Sequence, residues 1–254
     1  TVEQREAMRA ALGLDQPLLL RFFNYIGLAV RGEFGISYRN IEPVSQVLMS
    51  RVPATLELSL CAAVLALGVG IPMGVYAGIR RNAWGAQLLQ VVSLIGISIP
   101  SFLTGIILIL IFSVELNWLP AYGRGEVVRL GGWTTGFLTG TGLKSLIMPS
   151  ITLALFQLTL FMRLVRSEML EVLRTDYIKF ARARGIADRS IYFHHALKNT
   201  LVPVITVAGL QLGSLIAFSI ITETVFQWPG LGLLIIQAIT FGDIPVIAAY
   251  LMLI

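Results

Sequence analysis

Between residues 199 and 254 the chain carries two ionised side chains, Glu223 and Asp243, and no lysine or arginine. A stretch of that length cannot build a water-facing surface. Soluble domains carry about a quarter charged residues, whereas this chain of 254 residues carries 13%, against 56% hydrophobic. The chain therefore reads as an all-α membrane protein. Its formal charge of +5 would suit nucleic acid, but the basic residues lie between apolar runs, which excludes that class. The single cysteine, Cys61, sits inside such a run, so there is no disulfide framework.

A spanning helix takes roughly 20 mostly apolar residues. Residues 55–79 supply one, with Glu57 near one end and Pro72 expected to bend it. Residues 87–114 supply a second, which Pro100 should kink. Residues 146–162 and 201–222 supply two more, and a fifth starts near Pro245. Lipid leaves backbone groups no partner but their own segment, so these are helices. The chain opens without Met and stops inside an apolar run, so the expectation is a polytopic bundle truncated at both ends.

Lysine and arginine near span ends set orientation. Residues 163–198 hold eight of them, and Arg80 and Arg81 follow the first span. Those connections face the cytoplasm, which makes residues 1–54 an external segment and residues 55–254 the transmembrane domain. Gly70, Gly74 and Gly78 lie four apart on one helix face, suited to close packing within the chain.

Chemistry is scarce. Gly142-Leu-Lys144-Ser145 lacks the adjacency of a phosphate loop, and Gly230-Leu-Gly232 lacks the third glycine of a dinucleotide turn. Adjacent His194 and His195 point to different faces and cannot pair on zinc. No catalytic group, metal site or cofactor site is expected. Glu57, Glu115 and Glu223 fall near outer span ends. An acid there commonly reaches water or caps a helix; clustered, the three would form a gate.

The polar segment at about 163–199 is the informative one. Asp176 is placed to cap a short helix that ends at Gly185, with Arg182 and Arg184 in its last turn. Asp188 is placed to cap a second, leading to Pro203. An interfacial loop and a knob for a cytoplasmic partner fit this pattern equally well.

Asp176-Tyr177-Ile178, Ala181-Arg182-Ala183-Arg184-Gly185 and His195-Ala196-Leu197-Lys198-Asn199 resemble the coupling loop of binding-protein-dependent ABC importer permeases, in the dipeptide/oligopeptide subfamily. Pro53-Ala-Thr-Leu-Glu57-Leu, Glu33-Phe-Gly-Ile-Ser37 and the stretch from Thr222 to Gly232 resemble other parts of that subfamily. Lys179-Phe180-Ala181 keeps one alanine of the general Glu-Ala-Ala pattern, and His195 and Lys198 replace its Ile and Pro.

The resemblance implies a bundle of the ABC importer permease type in a bacterial or archaeal cytoplasmic membrane. Its partners would be a second permease subunit, two cytoplasmic ATPase subunits and an external solute-binding protein. The coupling contacts would come from Asp176, Tyr177, Ala181, Arg182, Ala183, Gly185, His195 and Leu197. Ser98, Ser101, Thr104, Gln157, Thr206, Gln211 and Ser214 are the uncharged polar residues available to line a pore or to join helices. Substrates across the subfamily include dipeptides, oligopeptides, glutathione and nickel. The rivals are a secondary transporter, which normally carries midplane charges and repeats absent here, and a non-transporting scaffold.

Overall fold

A computed structural model describes residues 17–253. Residues 1–16 of the expected external segment, and Ile254, lie outside the described residues. The helices are α1 (Leu18–Val30), α2 (Val44–Ile79), α3 (Trp84–Ser98), α4 (Ser101–Glu115), α5 (Gly140–Val172), α6 (Asp176–Ala183), α7 (Asp188–Val225), α8 (Leu231–Phe241) and α9 (Ile244–Leu253). Between α4 and α5 an antiparallel hairpin pairs Val128–Leu130 with Trp133–Thr135. By length and composition α2, α5 and α7 can each cross a membrane, and the α3–α4 pair can form a fourth, broken span.

The chain divides into two compact units, Val52–Leu233 and Thr1–Arg51 with Leu234–Ile254. In the first, α5 is the central helix: 67% of its apolar window is buried, against 17% for α7. The glycine stripe of α2 makes this burial close. A Cβ at Gly74 would sit 2.6 Å from the Met162 carbonyl oxygen and 2.7 Å from Val165 Cβ. One at Gly78 would sit 2.7 Å from Met169 Cβ, and one at Gly70 would sit 2.9 Å from the Leu158 carbonyl. The stripe is thus an intramolecular seam, as expected of small residues four apart.

The prolines separate into two kinds. Pro53 and Pro72 lie inside α2, Pro149 inside α5 and Pro203 inside α7, and each helix continues through them. Pro100 instead takes an extended ψ of 139° and starts α4 as its N-cap, so the kink expected in 87–114 is a break. The first span is also longer than its apolar run, because α2 already begins at Val44. Sequence reading treated the stretch after Thr222 as a connection, yet it contains α8, an apolar helix of 11 residues.

In the second unit, Gly242 at φ +68° ends α8, with the Asp243 N–H donating to Ala238 O at 2.8 Å. Asp243, buried, then accepts from Ser37 Oγ at 2.5 Å and from the Tyr38 N–H at 3.1 Å. Gly35 at φ +84° turns the chain so that Ser37 reaches it. This explains the Glu33-Phe-Gly-Ile-Ser37 motif. The Arg39 guanidinium lies 3.9 Å from the Phe241 ring centre, closing the loop over the end of α8.

Candidate functional site

The segment between α5 and α7 folds as a capped helix held on a hydrophobic base. Within α6, Ile178 and Ala181 are buried three residues apart in the core cluster that also holds Met169, Ile191 and Ala196. Gly185 at φ +76° stops the helix. Its N–H donates to Arg182 O at 2.9 Å and the Ile186 N–H to Ala181 O at 3.2 Å, the double bond pattern of a left-handed glycine cap. Asn199 Nδ2 donates to the Tyr177 hydroxyl at 2.6 Å, tying α6 to α7.

Two capping roles expected from the sequence are corrected by one position. Thr175 is the N-cap of α6, and no side chain caps it. Asp176 is the first helical residue and pairs with Lys179 Nζ at 2.8 Å, which holds its carboxyl below the usual range. Likewise Ala187 precedes the next helix, and Asp188 lies 3.8 Å from Arg182 Nε. Both acids sit in first turns, where the helix dipole favours them. The reason is geometric: an acid at the first helical position meets a cation three residues on, or one across the glycine turn.

Burial sorts the residues expected at the coupling contact. Ala181 is buried and Leu197 half-buried, so they anchor the element. Tyr177, Arg182, Ala183 and His195 are exposed. Sequence reading missed two aromatics: Phe180 is 64% exposed and Phe193 50% exposed. The Arg184 guanidinium stands 5.7 Å from the Phe180 ring centre. The signal was available, since Phe180 lies two residues from buried Ile178 on so short a helix. His194 and His195 are both exposed, and among the described residues no group of three His, Cys, Asp or Glu could hold a metal.

The three glutamates expected near outer span ends have different surroundings. Glu223, fully buried near the end of α7, accepts from Thr55 Oγ1 at 2.7 Å, Ser219 Oγ at 3.1 Å and the Leu233 N–H at 3.0 Å. Thr55 Oγ1 in turn accepts the Leu231 N–H at 2.8 Å. Together Thr55 and Glu223 cap the N-terminus of α8 from two other helices, satisfying donors a helix start leaves free. Trp228 Nε1 donates to Ala54 O at 2.9 Å beside them. Gly230 and Gly232 are required because a Cβ at either would meet the Glu223 carboxylate.

Glu57, also buried, pairs with Arg124, whose Nη2 lies 2.5 Å from its Oε2. Arg124 further donates from Nη1 to Thr134 Oγ1 at 3.0 Å and from Nη2 to Thr134 O at 2.6 Å. One guanidinium thus pins the hairpin to α2. Glu115 is exposed at the end of α4. Arg124→Lys keeps the charge but loses the fork. We expect a loss of about 1–2 kcal/mol, read as a melting temperature in detergent lower by about 2–6 °C.

Gln157, 3% exposed on α5, lines a cavity of about 350 Å³ together with Ser101 and Thr104. Gln211 is half-buried on α7 and is not among its lining residues.

A bundle with three full-length apolar helices, a broken fourth and a capped polar element between two spans is a polytopic membrane component. Residues 70–254 match the family described as binding-protein-dependent transport system inner membrane component. The di/tripeptide transport system permease protein DppB of Pseudomonas aeruginosa is 42% identical over 248 residues, covering 93% of this chain and 74% of that protein. The glutathione transport system permease protein GsiC of Escherichia coli K12 is 38% identical, covering 98% and 76%. Inward-facing MetNI methionine ABC transporter matches in fold, with TM-score 0.62 at 20% identity over 82% of this chain and 88% of that one. The chain belongs to the binding-protein-dependent transport system inner membrane components, and is a permease component of an ABC importer.

Proposed function

We propose that this chain forms one half of the pore of an ATP-driven importer and passes peptides delivered by an external binding protein. The observation that carries the reading is α6. It is rigidly capped, anchored by Ile178 and Ala181, and presents Tyr177 and Phe180 outward. Exposed aromatics on a rigid support are what a protein contact is built around. The peptide assignment draws on the relatives named for di/tripeptide and glutathione transport.

In this reading two separate ATPase subunits bind ATP and close, pulling the docked α6 helices of two permease subunits together. Because α6 shares a core with α5 and α7, its displacement moves the spans, and hydrolysis resets them. No ATP chemistry falls to this chain.

Purification of the full-length permease from its native operon context tests this directly. Two ATPase subunits should co-purify, and Phe180→Asp should lower their recovery roughly fivefold, as loss of an interface anchor does. Recovery equal to wild type in Phe180→Asp would remove α6 as the docking element.

A further inference from the structure

The break at Pro100 coincides with a cavity in which two buried side-chain oxygens lack hydrogen-bond partners among the described residues. It is about 350 Å³, within the range of small-ligand pockets. Gln157 Oε1 and Thr222 Oγ1 belong to side chains 3% and 1% exposed, both line the cavity, and neither atom has a hydrogen-bond partner among the described residues. The other polar walls are Ser101 and Thr104, at the start of α4, and Thr152, whose hydroxyl donates to Met148 O at 2.9 Å.

The break itself adds backbone groups. A helix end leaves its last carbonyls without intrahelical partners, and a helix start leaves its leading N–H groups so. Gly96 and Ile97, in the last turn of α3, line the cavity, as does Ser101 at the start of α4. Interrupted backbone at membrane depth is tolerated where it faces a cavity, and half-helix ends there recur as binding sites for small solutes. Among the described residues no Asp, Glu, Lys or Arg lines this cavity.

We infer that this cavity is a station for the uncharged backbone amides of a peptide in transit. A peptide bond offers one N–H and one C=O, and the cavity offers acceptors at Gln157 Oε1 and the α3 end, with donors at the α4 start. An acyl chain would leave all of these unpaired. A neutral set of dipoles also suits passage of varied side chains, because it reads the groups every peptide shares. The inference rests on the importer reading above.

The test uses the full-length permease assembled with its partner permease, ATPases and binding protein in proteoliposomes, with radiolabelled trialanine as probe. In Gln157→Leu, uptake per ATP hydrolysed should fall about tenfold, the equivalent of one lost hydrogen bond at about 1.4 kcal/mol. Gln90→Leu, outside the cavity and bonded to Ala86 of its own helix, should keep the wild-type ratio. In a Cys61→Ala background, N-ethylmaleimide labelling of Thr104→Cys should slow when trialanine is present. Wild-type uptake per ATP in Gln157→Leu, or labelling of Thr104→Cys indifferent to trialanine, overturns the inference. If Gln157→Leu does not assemble, the labelling result decides alone. If wild type shows no ATPase stimulation by loaded binding protein, the importer reading fails, while labelling still reports on the cavity.

Discussion

Glu223→Ala should abolish accumulation of the folded permease, or leave a protein melting far below wild type. The carboxylate is fully buried and both of its oxygens accept: Oε1 from Thr55 and Ser219, Oε2 from the Leu233 N–H. Alanine removes the acceptor and leaves the Thr55 hydroxyl and the Leu233 N–H dry, each costing about 1–3 kcal/mol, while Ser219 Oγ keeps Ile216 O at 2.7 Å. The total exceeds that of Arg124→Lys, because three helices lose a shared anchor. Glu223→Gln separates geometry from charge. Its amide oxygen can serve the Leu233 N–H while its NH2 group faces the Thr55 and Ser219 hydroxyls, which accept as well as donate, so part of the cap survives. We expect an intermediate loss of about 1–2 kcal/mol. Apparent melting temperatures and tryptic half-lives in detergent check the order wild type, Gln, Ala. An alanine variant as stable as wild type would show that α8 does not depend on this cap.

The same residue marks how far the sequence could be read. Spans were legible because apolar runs of about 20 residues admit few other structures in lipid. The capped element between α5 and α7 was legible because Gly185 and the flanking acids punctuate it. What periodicity could not supply were pairings across distance. Glu57 and Arg124 are 67 residues apart, Thr55 and Glu223 are 168, and Ser37 and Asp243 are 206. Each joins residues far apart in the chain, and in each a rare charge is buried as a fastener between elements. Glutamates near span ends therefore read equally as gate or cap until their partners are seen. α8 escaped notice because 11 residues are too few to register as a span.

Gly185→Val should uncouple uptake from ATP hydrolysis while leaving the bundle intact. A Cβ at Gly185 would meet nothing within 4 Å, so space is not the obstacle. The obstacle is φ +76°, a left-handed conformation that costs an ordinary residue about 1–2 kcal/mol, and a β-branched one more. Against that cost stand two cap hydrogen bonds and the contact of Ile186 with the α6 base. A penalty of this size lowers the capped population about 5- to 30-fold. In the proposed coupling role α6 transmits force only while rigid, so transported peptide per ATP should fall by about the same factor. The melting temperature should stay near wild type, because Gly185 is exposed and outside the helices. Asn tolerates the left-handed region, so Gly185→Asn should retain most uptake. Measuring peptide accumulation and phosphate release in the same proteoliposomes separates the two effects. Valine and asparagine variants that transport equally well would mean that the glycine cap does not set the coupling geometry.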